Sequence, residues 1–187
     1  MLWLWILLGV LALLVVFAAL GYNRLIRLRN EADTGWANID VQLQRRTDLI
    51  PNLVEAVRGY AAHERAVFEE VTRARAALQQ AQTPGAAGDA NDILTAALGR
   101  LFAVAEAYPE LRASENFLRL QEDLTDTEDK ISAARRYYNS TVMHFNTAIQ
   151  SLPWVLVASL LRFHAREFFA AEADARELPQ VELSQSR

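Results

Sequence analysis

The feature that most constrains this chain is an apolar run near its amino-terminal end, Leu2–Leu20, which contains one glycine and no charged residue. As a helix, residues 1–22 extend about 30 Å, the thickness of one hydrocarbon core. Trp3 and Trp5 at one end and Tyr22 at the other are typical of the aromatic belts at membrane interfaces. A cleaved signal peptide normally has a basic start and a shorter apolar core. We therefore predict an uncleaved transmembrane anchor over residues 1–22.

Arginines after this run indicate its orientation. Arg24, Arg27 and Arg29 follow the run, and no Lys or Arg precedes it. Basic residues near a membrane span favour the cytoplasmic side, so we expect the amino terminus outside and the rest of the chain in the cytoplasm. The alternative is that these arginines form only a solvated helix face, whose positive charge is reduced by Glu31 and Asp33. In that case the arginines do not fix the orientation, and the helical domain could be periplasmic.

Helical periodicity continues beyond the anchor. Apolar residues recur at three- and four-residue steps over Leu25–Gln44 and over Leu49–Gln82, which predicts two helices with one buried face each. The Pro-Gly-containing stretch Thr83–Ala90 indicates a loop, and helices follow over Asp92–Ala107 and Glu110–Gln150. No strand-like alternation is evident, so the sequence predicts an all-α fold. The last helix has a seven-residue apolar repeat, typical of helices packed at about 20°, at Phe117, Leu124, Ile131, Tyr138 and Phe145.

The segment Arg45–Asn52 has the signals of a turn between the first two helices. Arg45 and Arg46 suit the carboxyl end of a helix, where the dipole favours cations. Asp48 suits the cap of the next helix, and Pro51 suits its first turn, where no amide hydrogen is needed. We expect a turn here; the alternative is one long helix kinked at Pro51.

The same part of the chain carries a recognisable set of motifs. The sequence reads WANIDVQL from Trp36, RR from Arg45, DLIPNLV from Asp48 and GYAAHE from Gly59. A second set includes YPEL from Tyr108, with Asn116-Phe117, Thr127-Glu128, Ala134-Arg135, Tyr138-Asn139 and Asn146. These motifs resemble those of the LemA family, bacterial proteins with one amino-terminal membrane helix and an α-helical domain. The resemblance runs over most of residues 21–165.

The resemblance implies an antiparallel, up-and-down four-helix bundle with long helices, attached to the inner (cytoplasmic) membrane of a bacterium. We therefore expect an anchor over 1–22, a LemA-like helical bundle over 23–151, an apolar or amphipathic helix over 152–171 and a flexible tail over 172–187. In an up-and-down order, the chain returns to the bilayer near Ser151.

The segment that follows the bundle is apolar on nearly every side over Leu152–Leu161, but it is too short to span a membrane. Three interpretations remain open: a helix in the bilayer interface, an apolar face against another subunit, or a segment that folds back over the end of the bundle. The candidate membrane or subunit contacts are Trp154, Leu156, Leu160, Phe163 and Phe168.

The sequence lacks the residues that several classes of catalysis and binding require. The chain has no cysteine, which excludes disulfides and thiolate catalysis. Its formal net charge of −4 argues against a nucleic-acid partner. The three histidines, His63, His144 and His164, lack the spacing of di-iron or zinc-protease motifs. We expect no cofactor, no metal and no catalytic residue.

An acidic run is the remaining metal candidate. Asp123, Asp126 and Asp129 step by three along one helix and offer carboxylates that a divalent cation could use. Such a run is more typical of a solvated face, with Arg119 and Lys130 as local partners.

Charged residues also fall near apolar stripes. Arg46, Glu64, Glu128 and Arg135 lie close to core positions, where a charge must be paired. They either pair across the bundle and fix the register of its helices, or they extend from the edge of each stripe to water. The candidate interaction or register residues are Trp36, Asp40, Arg45, Arg46, Asp48, Pro51, Asn52, Glu64, Glu128 and Arg135.

With an anchor, surplus apolar surface and no catalytic constellation, the sequence favours a non-enzymatic helical scaffold or adaptor that contacts the lipid bilayer and associates with copies of itself. The resemblance adds a link to membrane or envelope organisation. One alternative is a signalling or stress-response adaptor that binds another membrane protein through Arg45–Asn52. The other is a metal-dependent enzyme.

Overall fold

A computed structural model describes residues 1–169 of the chain. The regular structure of these residues is entirely helical, which confirms the all-α prediction. The predicted tail over 172–187, and the last two residues of the predicted segment 152–171, lie outside the described residues. The helices in chain order are α1 Leu2–Arg58, α2 Arg65–Gln80, α3 Pro84–Glu106, α4 Pro109–Arg112, α5 Glu115–Gln150 and α6 Trp154–Leu160.

Helix α1 is one uninterrupted element of 57 residues. Its amino-terminal third has the length and apolar composition needed to cross a membrane, and almost all of that stretch is exposed. The rest of α1 carries a buried stripe that begins at Gly21 and Leu25. The predicted anchor and the first helix of the folded part are therefore a single helix.

The predicted turn over Arg45–Asn52 is wrong. Residues Arg45 and Asp48 lie inside α1, and so does Pro51. Proline inside a helix costs about 3 kcal/mol, but apolar residues shortly before and after it are buried, so tertiary packing outweighs this local signal. The alternative, one long helix kinked at Pro51, is correct in its continuity as far as Arg58; the kink itself stays a prediction. The chain then turns at residues 59–64 before α2 begins.

Two other predicted boundaries also differ. The segment Thr83–Ala90 is not a loop, because Pro84 starts α3 and the Thr83 hydroxyl accepts a hydrogen bond from the Ala86 amide at 3.3 Å. The expected helix over Glu110–Gln150 is divided by residues 113 and 114 into the short α4 and the long α5. The five residues of the seven-residue repeat are buried, as predicted.

Packing is strongest between α1 and α5 and between α2 and α3. Helix α5 runs antiparallel to α1, since Gly35 faces Tyr138 while Leu25, closer to the apolar end, clusters with Phe145. Most buried residues form one core shared by α1, α2, α3 and α5. The four-helix bundle that the family resemblance implies stays a prediction.

Beyond α5 the chain does not form the predicted helix over 152–171. Helix α6 has seven residues, and from Leu161 to Phe169 the chain has no helix. Residues 163–169, which we call the strap, lie along α1 and α5 and end in the buried Phe169. Part of the predicted segment therefore folds back onto the chain's own helices, which was one of the three interpretations.

Candidate functional site at the membrane-proximal end

Helix α6 packs against α1 where the apolar run ends. The Trp154 indole stacks on the Phe17 ring, with centroids 5.6 Å apart and an interplanar angle of 6°. The Arg24 guanidinium lies 5.4 Å from the centroid of the same indole, a cation–π contact. Gly21 makes room for α6, because a Cβ there would lie 3.0 Å from side-chain atoms of Trp154 and Val157. This end of the molecule is thus built around one glycine and one tryptophan.

The opposite face of α6 is open. The side chains of Leu152, Leu156 and Leu160 are 77%, 62% and 78% exposed. Their spacing of four residues is that of a helix face, although Leu152 precedes the first helical turn. The segment therefore has a buried side against α1 and α5 and an apolar side with no partner among residues 1–169.

Two asparagines of α5 hold the strap by its backbone. The Asn146 amide accepts a hydrogen bond from the Arg166 N–H at 2.8 Å and donates one to the Arg166 carbonyl at 2.9 Å. Asn139, seven residues earlier, does the same at Phe169, at 2.9 and 3.1 Å. An asparagine that pairs with both backbone groups of one residue substitutes for a neighbouring β-strand. The strap therefore has its backbone satisfied at these two residues without secondary structure.

Side chains add to this attachment. The Tyr138 hydroxyl donates to the Glu167 carbonyl at 2.8 Å, and Arg166 forms a 2.6 Å ion pair with Asp33. Phe169 packs against the Trp36 ring at a centroid distance of 6.4 Å. Burial raises the pKa of the Tyr138 phenol above its usual value, although the positive charge of Arg166 acts in the opposite direction.

The sequence alone predicts no role for Asn139 and Asn146 as site residues. Each follows a buried aromatic residue of α5, but this placement alone does not distinguish them from surface residues. Among the predicted contact residues, Trp154 and Phe163 are half-buried against α1 and α5, whereas Leu156, Leu160 and Phe168 are exposed.

A second polar site lies in the core, 25 residues along α1 from Gly21. The Arg46 side chain, 5% exposed, is 2.5 Å from a Glu128 carboxylate oxygen of α5. It also donates to Asn91 at 2.5 Å and to Thr95 at 3.0 Å, both on α3. Burial lowers the pKa of the guanidinium, and the nearby charges of Glu128 and Asp92 partly restore it. This cation joins three helices at one level.

The other predicted register residues are more exposed. Glu64 is exposed at the N-cap of α2 and is not the partner of Arg46. Asp48 accepts a hydrogen bond from Gln44 at 2.8 Å, and the Arg135 guanidinium contacts Ser132 at 3.4 Å. Trp36 packs on Tyr138 at a centroid distance of 6.0 Å. Three more of them, Asp40, Pro51 and Asn52, are exposed.

The acidic run on α5 lies opposite basic residues. Arg45 is 3.5 Å from both Asp123 and Asp126, and Lys130 is 2.7 Å from Asp126. The hydrogen bond from Lys130 lowers the pKa of Asp126 below its usual value, and the charge of Arg45 adds to this. Within residues 1–169, no group of three or more His, Asp or Glu side chains has the arrangement of a metal site.

Comparison with known proteins relates the sequence to one family. The model of the LemA family matches residues 35–183. Magnetosome protein MamQ of Magnetospirillum gryphiswaldense is 27% identical over 174 positions, covering 79% of this chain and 64% of that protein. Magnetosome protein MamQ 2 of Paramagnetospirillum magneticum is 27% identical over 186 positions, covering 86% and 68%. Protein LemA of Metamycoplasma hominis is 27% identical over 166 positions, covering 83% and 74%. The chain thus spans about two thirds of the length of the MamQ relatives.

Proposed function

The chain belongs to the LemA family, and from that premise we propose that it is a non-enzymatic, membrane-anchored helical scaffold that organises the membrane in which it lies. The observation that carries the proposal is the continuity of α1 from Leu2 to Arg58. Because one helix supplies both the apolar span and the central element of the folded core, the core has no flexible linker to the anchor. A rigid connection of this kind is what a scaffold needs to hold its surfaces at a fixed height above a bilayer.

The exposed face of α6 supports contact with lipid. Leu152, Leu156 and Leu160 are exposed on an element that packs on α1 beside Phe17 and Gly21, where the apolar run ends. Apolar side chains at this depth are stabilised when they enter the boundary between headgroups and acyl chains. We propose that α6 lies in that boundary and acts as a second contact with the membrane.

The names of two relatives support a role in membrane organisation. The MamQ proteins are named as magnetosome proteins, and a magnetosome association of those relatives is compatible with a family that works at membranes. For this chain we propose the general role only, in the bacterial inner membrane.

Orientation can be tested with single cysteines, because the chain has none of its own. We propose that the helical part lies in the cytoplasm, as Arg24, Arg27 and Arg29 favour. A cysteine replacing the exposed Glu69 should react with a membrane-impermeant maleimide only after the cells are opened. A control cysteine replacing Leu2 should react in intact cells. Labelling of Glu69→Cys in intact cells would place the helical part outside and overturn this orientation. Release of the wild-type chain from membranes by alkaline carbonate would overturn the anchor itself.

Self-association is the other part of the proposal. If the exposed leucines of α6 contact a second copy, Leu156→Ser with Leu160→Ser should reduce the mass of the detergent-solubilised particle to that of a monomer. Ile93→Ser with Leu118→Ser is the matched control, since these side chains are also more than half exposed but lie on α3 and at the start of α5. A wild-type particle that is already a monomer in mild detergent would overturn self-association and leave the lipid contact as the role of α6.

A further inference from the structure

A cleft opens between α1, the start of the strap and the membrane-proximal end of α5. It has a volume of about 420 Å³, and its lining includes Tyr22 and Arg29 of α1 together with Arg162 and His164 beyond α6. Arg166 also lines it, but Asp33 neutralises that charge through the ion pair described above. Among the described residues, none that lines the cleft is acidic. The cleft is therefore basic in a protein whose formal net charge is −4.

The two arginines of this cleft that Asp33 does not neutralise, Arg29 and Arg162, lack a counter-ion within the described part of the chain. No salt bridge or side-chain hydrogen bond joins Arg29, Arg162 or His164 to another residue within 1–169. Like charges brought together without a counter-ion repel one another unless an anion joins them. The cleft thus has the charge of a site for an external anion.

The backbone holds one of these cations in a strained conformation. Arg162 has a φ of +54°, which a residue with a Cβ adopts only at a cost. The strap that follows is fixed by Asn146 at Arg166, so Arg162 and His164 are confined between α6 and that point. The segment between α6 and Arg166 is thus held at both ends, and its residues Arg162 and His164 line the same cleft as Arg29.

The depth of the cleft relates it to lipid. Tyr22 lies about 3 Å beyond Leu20 along the helix axis and Arg29 about 13 Å beyond it. The headgroup layer of one leaflet is roughly 5–8 Å thick. The cleft therefore begins within that layer and extends beyond it, on the side away from the hydrocarbon core. Basic pockets at this depth suit the phosphate of an anionic lipid.

We propose that this cleft binds the headgroup of an anionic phospholipid, with Arg29 and Arg162 at its phosphate and Tyr22 beside the glycerol. The inference rests on the proposed membrane anchoring. It adds a specific lipid class to a contact that the exposed leucines of α6 make with any bilayer. A bound lipid would hold α1 and the start of the strap together and connect them to the membrane.

The test uses the full chain in nanodiscs of equal parts phosphatidylglycerol and phosphatidylcholine, released into native mass spectrometry to count retained lipids. Wild type should retain one phosphatidylglycerol in preference to phosphatidylcholine. Arg29→Gln with Arg162→Gln should lower that preference about 25-fold, because each cation near an anionic headgroup contributes about fivefold. Both side chains are exposed, so the double variant should fold. Its circular dichroism spectrum should show the same helix content as that of the wild type.

Arg27→Gln with Arg136→Gln is the matched control. It removes the same charge, and Arg27 lies two residues from Arg29 on α1 but does not line the cleft. This variant should lose no more than about fivefold. An equal loss in both variants, or no preference in wild type, would overturn the cleft as a lipid site.

Two further outcomes separate the alternatives. Displacement of the retained lipid by millimolar inorganic phosphate would show that the cleft takes a free anion and would overturn the lipid assignment. Wild-type protein that does not enter nanodiscs of either lipid would overturn the membrane anchoring itself. Entry without lipid preference would overturn only the cleft.

Discussion

Arg75 of α2 donates a hydrogen bond from its Nε–H to the backbone carbonyl of Thr47 in α1, with 2.8 Å between the heavy atoms. Thr47 lies four residues before Pro51, and proline has no amide hydrogen to offer that carbonyl. Thr47 is only 2% exposed, so water has little access to the unpaired oxygen. Arg75 supplies the missing donor. This contact from α2 explains how α1 continues through Pro51 without leaving the Thr47 carbonyl unpaired.

Replacing this arginine should therefore be costly only while the proline is present. We expect Arg75→Met to lower the free energy of unfolding by about 1–3 kcal/mol, because a buried carbonyl loses its partner. In a Pro51→Ala background the new alanine amide can bond to Thr47, and the loss should fall below about 1 kcal/mol. Chemical denaturation in detergent, followed by circular dichroism, measures both values.

The control for this cycle is Arg73→Met, an exposed arginine on the same helix, which should change stability by less than about 0.5 kcal/mol. Equal losses for Arg75→Met in the wild-type and Pro51→Ala backgrounds would mean that Arg75 acts through its packing and not through the orphaned carbonyl.

The same relationship shows why part of the fold can be predicted from sequence and part cannot. The apolar run, the all-α fold and the seven-residue stripe of α5 depend on composition and period, which are local in sequence. The predicted turn at Pro51 rests on equally local signals, but its suppression depends on Arg75, which lies 28 residues from Thr47. Tertiary contacts of this range have no signature in a single sequence.

The membrane-proximal site divides in the same way. That the chain returns toward the apolar end of α1 after Ser151 follows from the lengths and order of the helices. The sequence does not predict that Asn139 and Asn146 each bind the backbone of one strap residue. Neither the strap nor its register against α5 has a periodic pattern from which these contacts could be read. The sequence predicts helix for the strap since apolar and aromatic residues are dense there.

The core arginine gives a second prediction. Arg46→Met should lower the free energy of unfolding by about 2–4 kcal/mol, because it leaves the buried Asn91 unpaired and Glu128 without its cation. Glu128→Gln should cost less, since that side chain is 32% exposed. The loss of unfolding free energy in the double variant should be smaller than the sum of the two single losses by at least about 1 kcal/mol.

Glu64→Ala serves as the comparison for this pair, and because Glu64 is exposed we expect a change within about 0.5 kcal/mol. Strictly additive losses for Arg46 and Glu128 would argue that the two residues do not fix the register of α1 against α5 as a pair.

A third prediction concerns the docking of α6. Gly21→Val should displace α6, because the added atoms meet Trp154 and Val157 at contact distance. Overpacking of this kind costs about 1–3 kcal/mol, which corresponds to roughly 5- to 150-fold faster hydrogen exchange of the α6 amides. Gly9→Val introduces the same residue into the same helix, where nothing lies within 4 Å of the new Cβ. Unchanged exchange in Gly21→Val would show that α6 is not held by this contact.

A fourth prediction tests the attachment of the strap. Asn146→Ala removes both hydrogen bonds to Arg166, and Asn139→Ala removes both to Phe169. At about 0.5–1.5 kcal/mol for each bond, either variant should speed trypsin cleavage after Arg166 by roughly 5- to 150-fold. Asn116→Ala, on the exposed side of α5, should leave the rate unchanged. A rate equal to wild type in both strap variants would mean that side-chain packing alone holds the segment.

The last prediction concerns pH and Tyr138, whose hydroxyl donates to the strap at Glu167. Because burial raises the pKa of this phenol, its contribution to stability is fully present below the unfolded value near 10 and is lost as the pH rises through the higher folded value. Ionisation removes the donated hydrogen bond and places an anion beside Phe169 and Trp36. We therefore expect the strap to loosen only in strongly alkaline solution, detected as a change in tryptophan fluorescence that is absent from a Trp36→Phe variant. In an ultraviolet titration, Tyr138→Phe should remove the tyrosine that ionises at the higher pH and should leave the remaining transition unchanged. Loss of a phenol that titrates near 10 would show instead that water reaches Tyr138 and that the strap does not shield it.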